Sequence, residues 1–232
     1  MKFHFTVQPY QTDAVEAVVG VFDGQPYAAR TTYLRDVGTG AAQGNLLPVQ
    51  ESYMNAPLLT AEADDGFRNE KLHLTKAQLL ANIRRVQSAR NLHRSDTLSA
   101  PLGACALDVE METGTGKTYV YIKTMFELNR RYGWSKFIVV VPSIAIREGV
   151  KKSFEMTAEH FMEHYGKKAR FFVYSSANLN QLDAFSADAG LSVMIINTQA
   201  FAASLNEEKS IEGRGGNKEA RIIYSKRDAF GS

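Results

Sequence analysis

Between Glu110 and Asn129 the chain reads EMETGTGKTYVYIKTMFELN, and the residues able to do chemistry crowd at its start. Gly114 and Gly116 permit a tight loop, Lys117 and Thr118 follow at once, and helix-forming residues come next. Backbone N–H groups left free at a helix N-terminus point donors at an anion, and the helix dipole favours negative charge there. On a nucleoside triphosphate, Lys117 would reach the β- and γ-phosphates as a flexible point charge. Thr118 would offer its hydroxyl to the accompanying Mg²⁺, and Thr113 and Thr115 would line the loop. The full pattern begins with glycine six residues before the lysine, where this chain has Met111, so the match is to the narrower TGTGKT form.

A loop of this kind needs a strand to deliver it and a helix to receive it. From Ala104 onward ACALDVEM reads as a strand, KTYVYIKTMFELNRR as a helix stopped near Gly133, and KFIVVV as a strand. AIREGVKKSFEMTAEHFMEHY reads as a helix stopped at Gly166, and RFFVYSS and SVMIINT as two further short strands. Alternation of this kind predicts an α/β fold, a parallel sheet with helices on both faces. Asp108 and Glu110 sit oddly in a strand that should be buried on both sides, and an exposed edge or a salt bridge is the expected reason.

Upstream, YQTDAVEAVVGVF places Ala14, Val15, Val18 and Phe22 at helical spacing before an Asp23-Gly24 stop. Residues 25–74 are rich in Gly, Pro, Asn and Gln with no strong period, an irregular insertion. It closes on a second amphipathic helix, TKAQLLANIRRVQSARNL, where Thr75 and Gln78 form a capping-box pair and Leu79, Ile83 and Val86 line one face. Its Arg84, Arg85 and Arg90 read as a solvated face. Three regions result: 1–24, 25–103 and 104–232.

Composition narrows the class. At 232 residues and 44% hydrophobic the chain can bury one substantial core, and a net charge of +2 is too mild to announce a nucleic-acid protein. Cys105 is the only cysteine, which excludes an internal disulfide or a cysteine-based zinc site and suits a reducing cytoplasm. Neither the N-terminal MKFHFTVQPY nor any apolar run has the character of a signal peptide or a membrane span.

Three stretches, QPYQTDAV, METGTGKT and FIVVVPSIAIREGV, together resemble the adenine-reading glutamine motif, motif I and motif Ia of superfamily 2 helicases and translocases. More narrowly, the chain resembles the restriction (Res) subunit of type III restriction-modification enzymes, including the gap of about a hundred residues between Gln11 and the loop. The resemblance implies a RecA-like motor domain with ATP and Mg²⁺ as cofactors. Its partners would be double-stranded DNA, held by the phosphate backbone, and a DNA methyltransferase (modification) subunit.

Each implied role has a chemical reading. The Gln11 amide can donate and accept, matching the exocyclic amine and N7 of adenine, and Tyr10 or Phe5 could stack on the base. Pro142 ends a strand and Ser143 opens a turn where a hydroxyl and backbone N–H groups can hold a DNA phosphate without reading sequence. Arg147, with Lys151 and Lys152, would add charge, and Thr198 in IINTQAF would lie on the same carboxyl edge of the sheet.

No apolar strand ending in paired acids follows the loop, although nucleotide hydrolysis needs such a carboxylate to hold Mg²⁺. Asp183, Asp188 and Asp228 follow NQL, FSA and SKR, none of them strand-like. The expectation is the N-terminal part of a longer ATPase and endonuclease, itself inactive in turnover. The alternatives are another superfamily 2 helicase, a type I restriction motor subunit, or a non-catalytic nucleotide-binding module. A GTPase fits poorly, because NKEA at Asn217 lacks the aspartate of a guanine-reading motif.

Overall fold

A computed structural model of the chain describes residues 5–28, 67–101, 103–175 and 180–201. In chain order the elements are α1 (Pro9–Val19), a 3₁₀ turn (Gly20–Phe22), α2 (Lys76–Ala89), α3 (Lys117–Tyr132), β1 (Lys136–Val141), α4 (Ile144–Tyr165), β2 (Arg170–Val173), α5 (Asn180–Ala187) and β3 (Ser192–Asn197). The expected irregular insertion falls largely on residues 29–66, outside those described.

Local chemistry sets the helix ends. Pro9 opens α1, where its missing N–H has no intrahelical partner to lose. At α2 the expected capping box is formed: Thr75 Oγ1 accepts from Gln78 N (3.3 Å) and Gln78 Oε1 from Thr75 N (2.9 Å). α3 lies between two left-handed glycines, Gly116 and Gly133, and carries Arg130 and Arg131 in its last turn, where cations suit the dipole. Gly166 ends α4 in the same way.

The three strands are parallel in the order β1-β3-β2. Period two sorts the side chains of the central strand. Val193 and Ile195 pack with Ile122, Phe126, Phe154 and Phe161 of α3 and α4, while Met194 and Ile196 pack with Leu182 and Phe185 of α5. Helices therefore cover both faces, as the alternation predicts. α1 lies on α3 through Val15 and Val19 against Val120, Leu128 and Tyr132, and α2 closes over the 3₁₀ turn through Leu79 and Ile83 against Val21. Buried Glu127 ties α3 to α4, accepting from Arg130 (2.6 Å) and from the Tyr165 hydroxyl (2.7 Å).

Three expectations change. ACALDVEM joins no ladder among the described residues; Ala106, Asp108, Val109 and Glu110 are exposed. A strand covered by helices on both faces reads as continuously apolar, and two unpaired carboxylates oppose that burial. Between β2 and β3, Asn180–Ala187 form α5 where the sequence pattern predicts no element. Its only strong apolar signal is the pair Leu182 and Phe185, too short a run to show a period. The arginines of α2 are engaged rather than merely solvated. Arg84 donates to the carbonyls of Ser95 and Asp96 (both 2.8 Å), Arg85 to Gly20 O (2.9 Å) and to the Asp23 carboxylate, and Arg90 to Asp13 Oδ1 (2.7 Å). They pin α2 to α1 and to the turn that follows each helix. No helix among the described residues is long and apolar enough to cross a membrane.

Candidate functional site

α3 runs back into β1 across Gly133–Ser135, so the start of α3 and the end of β1 lie at the same end of the sheet. Parallel pairing brings the end of β3 there too. Lys117 and Thr118, Pro142 and Ser143, and Thr198 thus gather at one carboxyl edge, as expected of open α/β sheets.

The loop before α3 is built on positive φ at Gly114 (+84°) and Gly116 (+88°), a conformation that glycine adopts without strain. Thr115 closes it, its hydroxyl donating to Glu112 O (2.6 Å). Exposed Lys117 arches back over the loop, its Nζ donating to the carbonyls of Met111 and Glu112 (both 2.9 Å). Thr113 and Gly114 are exposed and Thr118 is half-buried in the first turn of the helix.

Gln11 and Tyr10 reach this loop across more than a hundred residues of sequence. Gln11, only 9% exposed, donates from Nε2 to Thr115 O (2.9 Å), and the Tyr10 hydroxyl donates to the same oxygen (3.3 Å). A Cβ on Gly116 would meet Gln11 Nε2 at 2.5 Å, so the glycine leaves the room in which the amide sits. Lys123 of α3 also reaches α1, donating to Thr12 Oγ1 (2.9 Å).

Phe5 is committed elsewhere. It stacks on Tyr119 (6.2 Å, 19°) and tilts over His160 (5.2 Å), while the Tyr119 hydroxyl and His160 Nε2 lie 2.9 Å apart. Tyr10, 49% exposed, is the aromatic ring left open beside the loop. Sequence reading misses Tyr119 and His160, which join α3 to α4. Only the adjacency of Tyr119 to the motif could have flagged them. Burial pushes the His160 imidazole down, helped by neighbouring His164 and Lys123 and opposed by Glu163.

At the end of β1, Ser143 caps α4, its Oγ accepting from Ile146 N (3.3 Å). Arg147 is one turn on, with its Nε shut from solvent and unpartnered among the described residues and its Nη2 3.4 Å from Glu148. Pro142 and Thr198 are exposed, Thr198 one residue beyond the rung Val141↔Asn197.

Among the described residues no three His, Cys, Asp or Glu side chains converge as metal ligands. Asp188 lies before β3, at the opposite end of the sheet from Thr118. There its carboxylate accepts from Gly190 N (3.0 Å) and the Ser192 hydroxyl (2.7 Å). Burial raises that carboxyl, but these bonds with Arg170 and Lys136 outweigh it and hold the group below the usual range.

A parallel sheet covered on both faces, with a glycine loop opening the first covering helix at its carboxyl edge, defines an α/β protein of the RecA-like type. The family model described as "Type III restriction enzyme, res subunit" matches residues 65–223, more than half of the chain, and the chain belongs to that family. It is 40% identical over 111 residues to the Res subunit of the type III restriction-modification enzyme EcoP15I of Escherichia coli, a stretch covering 47% of this chain and 11% of that protein. It is 39% identical over 111 residues to the EcoPI Res subunit of Escherichia phage P1, with the same coverage. A 61-residue stretch, 25% of this chain and 6% of the relative, is 49% identical to the StyLTI Res subunit of Salmonella typhimurium. The matched stretch spans about a tenth of the length of the first two relatives.

Proposed function

We propose that this chain is the ATP-binding N-terminal part of an ATP-dependent DNA translocase and endonuclease, the Res subunit of a type III restriction enzyme. The observation that carries the reading is the meeting of Gln11 with Thr115. Two motifs suited to the two ends of a nucleotide are 104 residues apart in sequence and in hydrogen-bond contact in the fold. A chance glycine turn would have no reason to recruit a buried amide.

In this reading the phosphates displace the Met111 and Glu112 carbonyls from Lys117 and take donors from the backbone of Thr113, Gly114, Thr115 and Gly116. The Gln11 side chain meets the adenine edge and Tyr10 covers the base. The Thr118 hydroxyl, a hard oxygen donor, would help hold the Mg²⁺ that accompanies the nucleotide. No apolar strand ending in paired acids follows the loop in the sequence, and the chain is expected to bind without turnover. Pro142, Ser143, Arg147 and Thr198 form the start of a track for the phosphate backbone of double-stranded DNA, with weak and steeply salt-dependent affinity. The DNA methyltransferase subunit is the expected protein partner, and the cytoplasm the expected compartment.

The test is competition for a fluorescent ATP analogue. ATP should displace it better than GTP, and Gln11→Ala should bring the two together. Unchanged discrimination in the variant would contradict the base-reading role of Gln11, whereas DNA-stimulated phosphate release that Lys117→Ala abolishes would contradict only the absence of turnover.

A further inference from the structure

Near the end of α4 the chain reads HFMEH from His160 to His164, the H-x-x-E-H spacing that sets two imidazoles on one face of a zinc-binding helix. Spacing of this kind recurs by chance, and the bonds around the two rings are what single it out. The ring centroids lie 4.3 Å apart. His164 Nδ1 is 2.8 Å from the His160 carbonyl oxygen, which can only accept. Nδ1 therefore carries the proton, and Nε2 of this exposed ring keeps its lone pair. His160 is buried against Phe5, Tyr119 and Phe161, and its Nε2 lies 2.9 Å from the Tyr119 hydroxyl. With Nε2 donating to that oxygen, the lone pair falls on Nδ1, which has no hydrogen-bond partner among the described residues and is not shut from solvent. Each ring thus has one nitrogen anchored by an oxygen and the other free, the arrangement in which proteins hold imidazole ligands of a metal ion.

We propose that His160 and His164 bind one divalent transition ion of the zinc or copper class, with Tyr119 as the residue that positions His160. Imidazole nitrogens suit such ions, whereas Mg²⁺ takes oxygen ligands. Glu163 contributes a favourable charge at His160. Lys123 opposes it, but its ammonium is engaged with Thr12 Oγ1 on α1 (2.9 Å). No third His, Cys, Asp or Glu converges there among the described residues, so water would complete the coordination shell.

Zinc titration into the full 232-residue chain tests the site, by calorimetry in a non-chelating buffer and by thermal unfolding, with Mg²⁺ as the control ion. One Zn²⁺ should bind per chain and raise the unfolding temperature, and Mg²⁺ should leave it unchanged. His164→Ala removes an exposed ring and should abolish both zinc signals. Tyr119→Phe keeps the ring contacts, removes only the oxygen that holds His160, and should weaken zinc binding about tenfold. Cys105→Ser should bind zinc as the unmodified chain does. Unchanged zinc affinity in His164→Ala would overturn the site, as would a loss confined to Cys105→Ser. A merely structural Tyr119 would alter the stability of the metal-free chain and leave zinc affinity alone, and that result would overturn its positioning role.

Discussion

Lys117 and Lys136 make the same bonds at opposite ends of the sheet. Lys117 donates to Met111 O and Glu112 O; Lys136 donates to Phe185 O (2.6 Å), Asp188 O and Ser192 Oγ (3.4 Å). The first is exposed and the second only 2% exposed, in a row where Lys136, Ser192 and Arg170 sit side by side across all three strands. Asn69 completes that end, its Oδ1 accepting from the backbone of Ser135 (2.8 Å) and Lys136 (2.9 Å). The same chemistry is thus replaceable at the carboxyl edge and fixed at the amino edge. A ligand oxygen can exchange with the carbonyls around Lys117, whereas those around Lys136 are held by a buried ammonium.

The largest expected effect follows from removing the fixed lysine. Lys136→Ala leaves the Phe185 and Asp188 carbonyls without their buried donor, while Arg170 still faces the Asp188 carboxylate, and should cost about 3 kcal/mol in urea denaturation. Lys117→Ala should stay within about 0.5 kcal/mol of the unmodified chain. Equal losses would break the comparison. Lys136 also carries a pH signature. Burial pushes its ammonium down to about 8 from an ordinary 10.5, with Asp188 opposing and Arg170 assisting. An unfolded chain keeps that proton to the ordinary value, so stability should rise as pH climbs from about 8 through 10.5, and the rise should vanish in Lys136→Met.

A smaller effect separates the glycines of the two ends. Gly133 precedes β1 at φ +79°, and a Cβ there would lie 2.3 Å from the Ala28 carbonyl oxygen, part of a backbone that also donates from Ala28 N to Tyr132 O (3.3 Å). Gly114, in the loop at φ +84°, has nothing within 4 Å of such a Cβ. Gly133→Ala should therefore cost about 2–3 kcal/mol in thermal or urea unfolding and Gly114→Ala about 1 kcal/mol, from backbone strain alone. Matching losses would mean that the amino edge is no more tightly packed than the loop.

Much of this was legible in the sequence, for local reasons. The Thr75–Gln78 box, the glycines after α3 and α4 and the KFIVVV run act within a few residues of themselves, and each falls where its chemistry requires. Failures came where distant residues decide. Apolar alternation suggested a strand at ACALDVEM, but a strand needs a neighbour, and the ladders among the described residues join β1, β2 and β3 alone. Asp188 looked like a stray carboxylate because its partners, Lys136, Arg170 and Ser192, come from three strands. The site divides in the same way: the loop is contiguous and announces itself, whereas the contact of Gln11 with Thr115 and the pairing of Tyr119 with His160 exist only after folding.

The exposed lysine at the carboxyl edge is proposed to belong to a nucleotide site. Calorimetric titration of Mg²⁺ and ATP into the folded chain, and into Lys117→Ala verified as equally stable, tests it most directly. The unmodified chain should bind one-to-one, and binding should weaken at least tenfold in the variant, because the charge facing the phosphates is gone. Equal affinity in the two proteins would contradict it.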